Sequence, residues 1–189
     1  SLTCSRSTHP TPRSIQAFND VFMANNVNYV RTSMMGTKYG KGLARDGFFA
    51  DLERRLKRFV DSYVHSGWSL PLSWLDMASD RLKEHLDASQ GQVEKFQAAA
   101  EGDKNLKALL RKFTNAWKSL HTLQCGWYVP DPSLRQMLCD RLIAFLVPKY
   151  SRLSDLVAQH SFLAKQLPLD GKSIRGAISD DFFQGRGGA

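Results

Sequence analysis

The chain has 189 residues and a mass of 21.3 kDa, with 42% hydrophobic and 23% charged residues. These values exclude a wholly disordered tail, a collagen-like repeat and a disulfide-stapled miniprotein. The 26 basic and 18 acidic side chains give a net charge of +8, which favours phospholipid head groups, nucleic acid or acidic proteins as partners. The excess lies in residues 1–60 and 104–189, on either side of an acidic region, so we expect basic patches.

Neither the cysteines nor the apolar runs suggest an extracellular or membrane-spanning protein. The three cysteines lack C-x-x-C spacing, so no disulfide framework or zinc knuckle is predicted. Residues 1–13 are polar and contain two prolines, which predicts a disordered lead without a signal peptide. The longest apolar run, 142–147, is far shorter than the roughly 20 residues of a membrane span. We therefore expect a soluble, cytosolic chain.

Apolar residues recur with a helical period along almost the whole chain, and no strand pattern is convincing. A first helix is expected over residues 14–35, with one apolar face turned toward the core. The members of that face are Ile15, Phe18, Phe22, Tyr29 and Met34. Residues 36–47 are expected to form a basic, glycine-rich loop. The following helix is expected to break or kink at Gly67 and Pro71.

The second half of the chain has the same period. Residues 87–102 are weakly patterned and are expected to form a loop, after which Asp103 caps a helix with a strong apolar stripe. Prolines at 130 and 132 end that segment, and a last short helix is expected from about 172 to 183. The predicted fold class is all-α, with long antiparallel helices stacked as bundles.

Two helical bundles are expected after the polar lead at residues 1–13. The first covers residues 14–103. The second covers residues 104–189 and carries a basic surface, since thirteen basic side chains occur there against six acidic ones.

No catalytic motif occurs. There is no G-x-S-x-G elbow, and the five histidines lack the sequence context of a triad. The glycine-rich segment 36–42 has the wrong spacing for a phosphate loop and lacks the Ser or Thr that would bind magnesium. We therefore predict neither enzymatic activity nor a cofactor.

One pair of residues has the spacing of metal ligands. His121 and Cys125 lie four residues apart on a predicted helix, but a closed zinc site needs two more ligands, and Cys139 and His160 are isolated. A structural role is favoured and no metal is predicted. Most aromatic residues fall on apolar stripes, which favours core packing over base stacking. We expect no nucleic-acid partner, and non-specific binding through the net charge is only a third alternative.

Three segments carry recognisable motifs. Residues 22–30 contain F-x-x-N-N-x-x-Y-V, residues 63–68 contain Y-x-x-S-x-W, and residues 106–150 contain Q-x-x-W-x-V-P-D-x-x-L-R followed by V-P-x-Y. In order and spacing they resemble the carboxy-terminal part of the exocyst seventy-kilodalton subunit family, over residues 18 to about 185. Several features are similar to the plant branch of that family.

The third motif also has a structural interpretation. Trp127 and Tyr128 are expected to anchor the end of one helix in the core. Asp131 or Ser133 is expected to cap the next helix. Arg135 lies in its first turn, where it can pair with an acid. Architectural roles are therefore favoured over ligand contacts.

The resemblance implies the carboxy-terminal end of a rod-like, non-enzymatic subunit that helps tether secretory vesicles to the plasma membrane during exocytosis. It implies a cytoplasmic protein, peripheral at that membrane. Its implied partners are other exocyst subunits, phosphoinositide-containing membranes and small GTPases. The lipid-binding residues implied in this chain are Lys149, Arg152, Lys165, Lys172 and Arg175.

One departure from the family motivates an alternative. The family's terminal K-Y-x-K-Y-like stretch corresponds to residues 165–169, where Pro168 replaces the second lysine. The chain would then be a protein- or peptide-recognition module of a divergent plant paralogue, with an immune or effector-target role and without lipid binding. Short segments of immune-related proteins would lie between the last helices. The partner-binding residues of this alternative are Phe162, Leu167, Ile174 and Phe182.

Overall fold

A computed structural model describes residues 12–44, 46–158, 167–168 and 173–186. These ranges contain helices and one isolated bridge, between Tyr128 and Gln184, but no strand. The helices are α1 (Pro12–Met35), α2 (Lys38–Leu43), α3 (Phe48–Ala88), α4 (Val93–Gly102), α5 (Lys104–Cys125), α6 (Pro132–Ala158) and α7 (Ser173–Asp181). The predicted all-α fold class is confirmed. No helix in the described ranges has both the length and the apolarity needed to cross a membrane.

The chain forms two compact units. The first ends at Gly67 and the second begins at Trp68, so α3 contributes residues to both. The boundary predicted between residues 14–103 and 104–189 refers to the bundles of a rod-like family member and stays a prediction.

In the first unit, α1 buries its small and polar face. The buried residues are Ser14, Ala17, Asp20, Val21, Ala24 and Asn28. The face expected in the core is largely exposed, and Phe22 and Tyr29 have exposed fractions of 55% and 71%. That prediction was wrong because small side chains let α1 approach α3 closely: a Cβ added at Gly67 would lie 3.2 Å from the Cβ of Ala17.

A short helix, α2, forms inside the segment expected to be a loop. The Thr37 hydroxyl caps it, accepting a hydrogen bond from the Gly40 N–H at 3.0 Å and donating one to the Met34 carbonyl at 2.8 Å. Gly40 is buried against the end of α1, where a Cβ would clash with the Met34 carbonyl oxygen. Glycine at position 40 therefore holds α2 against α1.

A break or a kink was expected at Gly67 and Pro71, and helix α3 is not broken there but continues through both residues. Pro71 has no N–H for the Gly67 carbonyl, a loss that costs about 3 kcal/mol in a helix interior. One buried stripe runs along the helix on both sides of the proline, and its packing outweighs that loss. Its members are Leu52, Leu56, Val60, Tyr63, Val64, Trp68, Leu72, Leu75, Ala78 and Leu82.

Residues 93–102, also expected to lie in a loop, form α4. Phe96 and Ala100 are one turn apart and both are buried, so one face of this short helix packs into the fold. The apolar period did not predict this helix because polar and small residues surround the pair.

The core of the second unit is the one that the leucine pattern predicts. In α5, Leu106, Leu110, Phe113 and Trp117 are buried, which confirms the predicted stripe there. In α6, the buried leucines include Leu134, Leu138, Leu142 and Leu146. Aromatic contacts join the helices: the rings of Phe113 and Tyr150 lie 5.6 Å apart between α5 and α6.

Candidate functional site

The basic residues implied as lipid contacts lie near the end of α6 and on α7. Lys149 points its ammonium group at Asp76 of α3, with both carboxylate oxygens at 2.6 Å. Arg152, one turn further along α6, is exposed, and so is Arg175 on α7. Lys165 and Lys172 lie outside the described residues. The structure therefore places Arg152 and Arg175 on the surface of two helices that pack together.

The residues of the partner-binding alternative have a different environment. Ile174 and Phe182 have no exposed surface, and Leu167 is half-buried. Phe162 lies outside the described residues. A partner segment could reach Ile174 and Phe182 only by displacing α7, because both side chains already pack within the unit. Their role in partner binding stays a prediction.

Phe182 belongs to an aromatic cluster that fixes the end of α7. Its ring stacks on Trp68 at 6.3 Å, lies 6.2 Å from Trp117, and presents an edge contact to His121 at 5.4 Å. Phe183 adds a ring contact with Trp127 at 6.3 Å. Such contacts stabilise beyond the apolar area they bury. The cluster explains why the two phenylalanines at the end of α7 are buried.

The residues after α7 are held by backbone hydrogen bonds to the last turn of α5 and to the segment that follows it. The Phe183 N–H donates to the Gln124 carbonyl at 3.0 Å, and its carbonyl accepts from the Val129 N–H at 3.2 Å. The Gly185 N–H donates to the Trp127 carbonyl at 2.9 Å. Phe183 adopts a positive φ of 61°, a strained conformation that these bonds and its burial stabilise.

The structure settles most architectural predictions for the third motif. Trp127 is buried as expected, but Tyr128 is not, with an exposed fraction of 64%. Asp131 caps α6, since its carboxylate accepts from the Leu134 N–H at 2.7 Å. Arg135 donates to the side-chain oxygen of Gln184 at 2.7 Å, where an acidic partner was expected. Sequence reasoning missed this bond because it joins residues 49 positions apart.

His121 and Cys125 do approach each other on α5. The Cys125 sulfur lies 3.7 Å from Nδ1 of His121, whose Nε2 lies 3.2 Å from the carboxylate of Asp181. Burial, and then the negative charge of Asp181, raise the pKa of the Cys125 thiol. The contact between His121 and Asp181 links the end of α5 to the end of α7.

The other candidate ligands are not part of this group. Cys139 is buried, and its thiol donates to the Ile178 carbonyl at 3.4 Å. Burial raises its pKa to about 12, so it stays a neutral thiol. His160 lies outside the described residues, and no set of three or more His, Cys, Asp or Glu suited to a metal ion occurs in the described part of the chain.

Among the carboxylates of the described chain, Asp103 has the most strongly shifted pKa. Its Oδ1 accepts from the N–H groups of Asn105 and Leu106 at the start of α5, and its Oδ2 lies 2.9 Å from His85 and 3.2 Å from Arg81. Burial alone would raise its pKa. The hydrogen bonds from His85, Leu106 and Asn105 and the Arg81 charge outweigh burial and lower the pKa to about 2. This carboxylate therefore joins α3 to the beginning of α5.

A comparison with protein-family models agrees with the family that the three motifs resemble. The family model that describes the C-terminal part of the Exo70 subunit of the exocyst complex matches residues 12–177. Comparisons with curated proteins and with solved structures found no match. The family match covers α1 to α6 and the first part of α7, and it confirms the resemblance carried by the three motifs. The chain belongs to the Exo70 family of exocyst subunits, whose C-terminal region it represents.

Proposed function

We propose that the second unit contacts anionic phosphoinositide membranes through its basic residues. Membership in the family implies the role of an exocyst subunit in vesicle tethering at the plasma membrane and association with other exocyst subunits. The observation that supports contact with phosphoinositide membranes is the exposure of Arg152 and Arg175 on α6 and α7. In the described chain, neither guanidinium makes an ion pair.

Three further basic residues complete the proposed surface. Lys165 and Lys172 lie between α6 and α7 in the sequence, and Lys149 lies one turn before Arg152. Each basic residue close to an anionic leaflet contributes about 1 kcal/mol, so four or five together suffice for reversible recruitment. The contact would place the protein peripherally at the cytoplasmic side of the plasma membrane, where small GTPases are the further partners proposed.

Vesicle flotation tests this proposal. The purified chain is mixed with vesicles that contain or lack a few per cent of a bisphosphorylated phosphoinositide, at low and at physiological salt. We expect binding that depends on this lipid and a loss of more than about tenfold on joint charge reversal of Lys165, Lys172 and Arg175. Joint reversal of the exposed lysines Lys104, Lys112 and Lys118 of α5 is the matched control. Equal binding by the first variant and the native chain would refute the proposal.

A second candidate is the recognition of short segments of immune-related proteins by a divergent plant paralogue. The observation in its favour is the partial exposure of Leu167, next to Pro168 in the stretch that departs from the family. Binding would require α7 to move, since Ile174 and Phe182 are buried. Calorimetry with synthetic segments of such proteins tests it. Affinity that is unchanged by Leu167→Ala and Phe182→Leu would exclude this groove.

A further inference from the structure

The first unit has an exposed basic and apolar end where α1 meets α2. We name it the α2 tip and define it by Met35, Lys38, Tyr39 and Lys41. Tyr39 has an exposed fraction of 82% and Met35 of 60%, the first being the highest among the large hydrophobic residues of the described chain. Both lysines are exposed as well. Residues 35–41 therefore expose two large apolar side chains and two lysines to solvent.

The α2 tip is held in a fixed shape by α1. Gly40 packs against the Met34 carbonyl, and the Thr37 hydroxyl links the end of α1 to the first turn of α2. Because Gly40 faces α1, its neighbours at positions 38, 39 and 41 lie on the exposed side of α2. The tip is therefore built by the fold, which exposes an aromatic side chain and two cations on one short helix.

The surroundings of the tip are open. A Cβ added at Gly36 or Gly42 would meet no other part of the protein within 4 Å. An exposed helix of this kind can meet a flat surface. Tyrosine and lysine are the residues that proteins place at the membrane–water interface, the ring at the level of the head groups and the ammonium group near the phosphates.

The charge at the tip has one sign. No acidic residue occurs in the sequence between positions 21 and 45, and Lys38 and Lys41 make no ion pair within the described residues. The next acidic residues in the sequence are Asp46, before α3, and Asp51 on α3, and Asp51 already pairs with Arg55 at 2.7 Å. The tip is thus complementary to an anionic surface.

We propose that the α2 tip is a second membrane contact, at which Tyr39 and Met35 enter the interface of an anionic bilayer while Lys38 and Lys41 bind lipid phosphates. This contact lies in the first unit and does not depend on the carboxy-terminal basic residues proposed above. It needs negative surface charge and does not need a phosphoinositide, because two separate lysines form no enclosed head-group pocket.

Partition into vesicles with about 30% phosphatidylserine and no phosphoinositide tests the tip with the full chain. We expect the double variant Lys38→Gln and Lys41→Gln to weaken partitioning about 25-fold, because each lysine contributes a factor of about five. Tyr39→Ala should weaken it about tenfold and Tyr39→Phe much less, since the ring supplies the apolar area. Lys104→Gln with Lys118→Gln on α5 removes the same charge elsewhere and should change partitioning less than about threefold.

Two measurements keep the tip separate from the carboxy-terminal contact. In a chain that carries charge reversals at Lys165, Lys172 and Arg175, mutation of the tip should weaken partitioning by the same factor as in the native chain. Failure of one contact is then recognised independently of the other. Tyr39→Trp should gain a fluorescence signal that brominated acyl chains quench, beyond the quenching of the native chain. Equal losses for the two lysine pairs, no added quenching, or tip-dependent binding of a short DNA duplex in place of vesicles would each overturn the proposal.

Discussion

Helix α1 of the first unit and the aromatic cluster of the second unit use their aromatic residues in opposite ways. In the second unit, Trp68, Trp117 and Phe182 form a buried cluster that closes the fold around the end of α7. In the first unit, Phe22 and Tyr29 of α1 lie mostly in solvent. Phe22 and Tyr29 have the seven-residue spacing of one helix face, as Leu106 and Phe113 of the buried α5 stripe do, so periodicity identifies the helix but does not tell which face the fold covers.

The difference follows from what the neighbouring helix offers. Helix α3 presents Gly67 and the serines Ser62 and Ser66 to α1, and this surface accommodates Ala17 and the carboxylate of Asp20 rather than a bulky ring. The second unit offers an apolar surface of leucine and tryptophan. Small and polar side chains therefore hold α1, whereas burial of large apolar side chains holds α5 to α7.

Truncation of aromatic residues should give the largest difference between the two units in the free energy of unfolding that is lost. Phe182→Ala removes a fully buried ring and should lower the free energy of unfolding by about 4 kcal/mol, whereas Phe22→Ala should lower it by less than about 1 kcal/mol. Urea unfolding followed by far-UV circular dichroism measures both changes. All four tryptophans lie in the second unit, so their fluorescence reports on Phe182→Ala directly. Similar losses for both variants would contradict the comparison.

The polar contact of the first unit has its own test. The Asp20 carboxylate is buried and accepts hydrogen bonds from Ser62 and Ser66, both at 2.9 Å, and from Gln16 at 3.1 Å. Asp20→Ala leaves these donors without their shared acceptor and should cost about 3 kcal/mol. We expect faster amide exchange in α1 and the first half of α3. Asn19→Ala, at an exposed neighbouring position, is the control. Unchanged exchange in the Asp20 variant would show that apolar contacts hold α1.

Acid should weaken the second unit through Asp103. Its folded-state pKa of about 2 lies below the usual value of 3.8, so the charged form stabilises the fold above about pH 4. This contribution, about 2 kcal/mol, should disappear as the pH falls from about 4 to 2. Asp103→Asn keeps a capping side chain but not the charge, so its free energy of unfolding should vary less with pH over this window. Asp87→Asn, an exposed change, should preserve the native pH dependence.

The fold was more predictable than the surfaces, for physical reasons visible at particular residues. The α5 stripe could be predicted because its leucines and aromatics fill a face that any apolar neighbour would cover. The continuity of α3 could not, because packing on both sides of Pro71 overrides its local effect. The bond between Arg135 and Gln184 depends on how the residues after α7 return to the start of α6 and leaves no local signal.

The candidate sites show the same limit. Exposure of Arg152 and Arg175 follows from their charge, since an unpaired guanidinium is costly to bury. Burial of Ile174 and Phe182 was not anticipated, because a short amphipathic helix can cover a core or offer a groove with the same sequence. Helix α2, which carries Tyr39, was not predicted because it depends on one close approach at Gly40.

The smallest expected effect concerns Lys149, whose ammonium group is paired with Asp76 at 2.6 Å. Both side chains are partly exposed, so a double-mutant cycle of Lys149→Gln and Asp76→Asn should give a coupling below about 1 kcal/mol that falls with added salt. Asp76→Asn also frees the ammonium group and should raise affinity for phosphoinositide vesicles about threefold. Asp80→Asn, at an exposed position one turn along α3, removes the same charge without touching this lysine. If both variants raise affinity equally, net charge governs binding and Lys149 has no particular part in it.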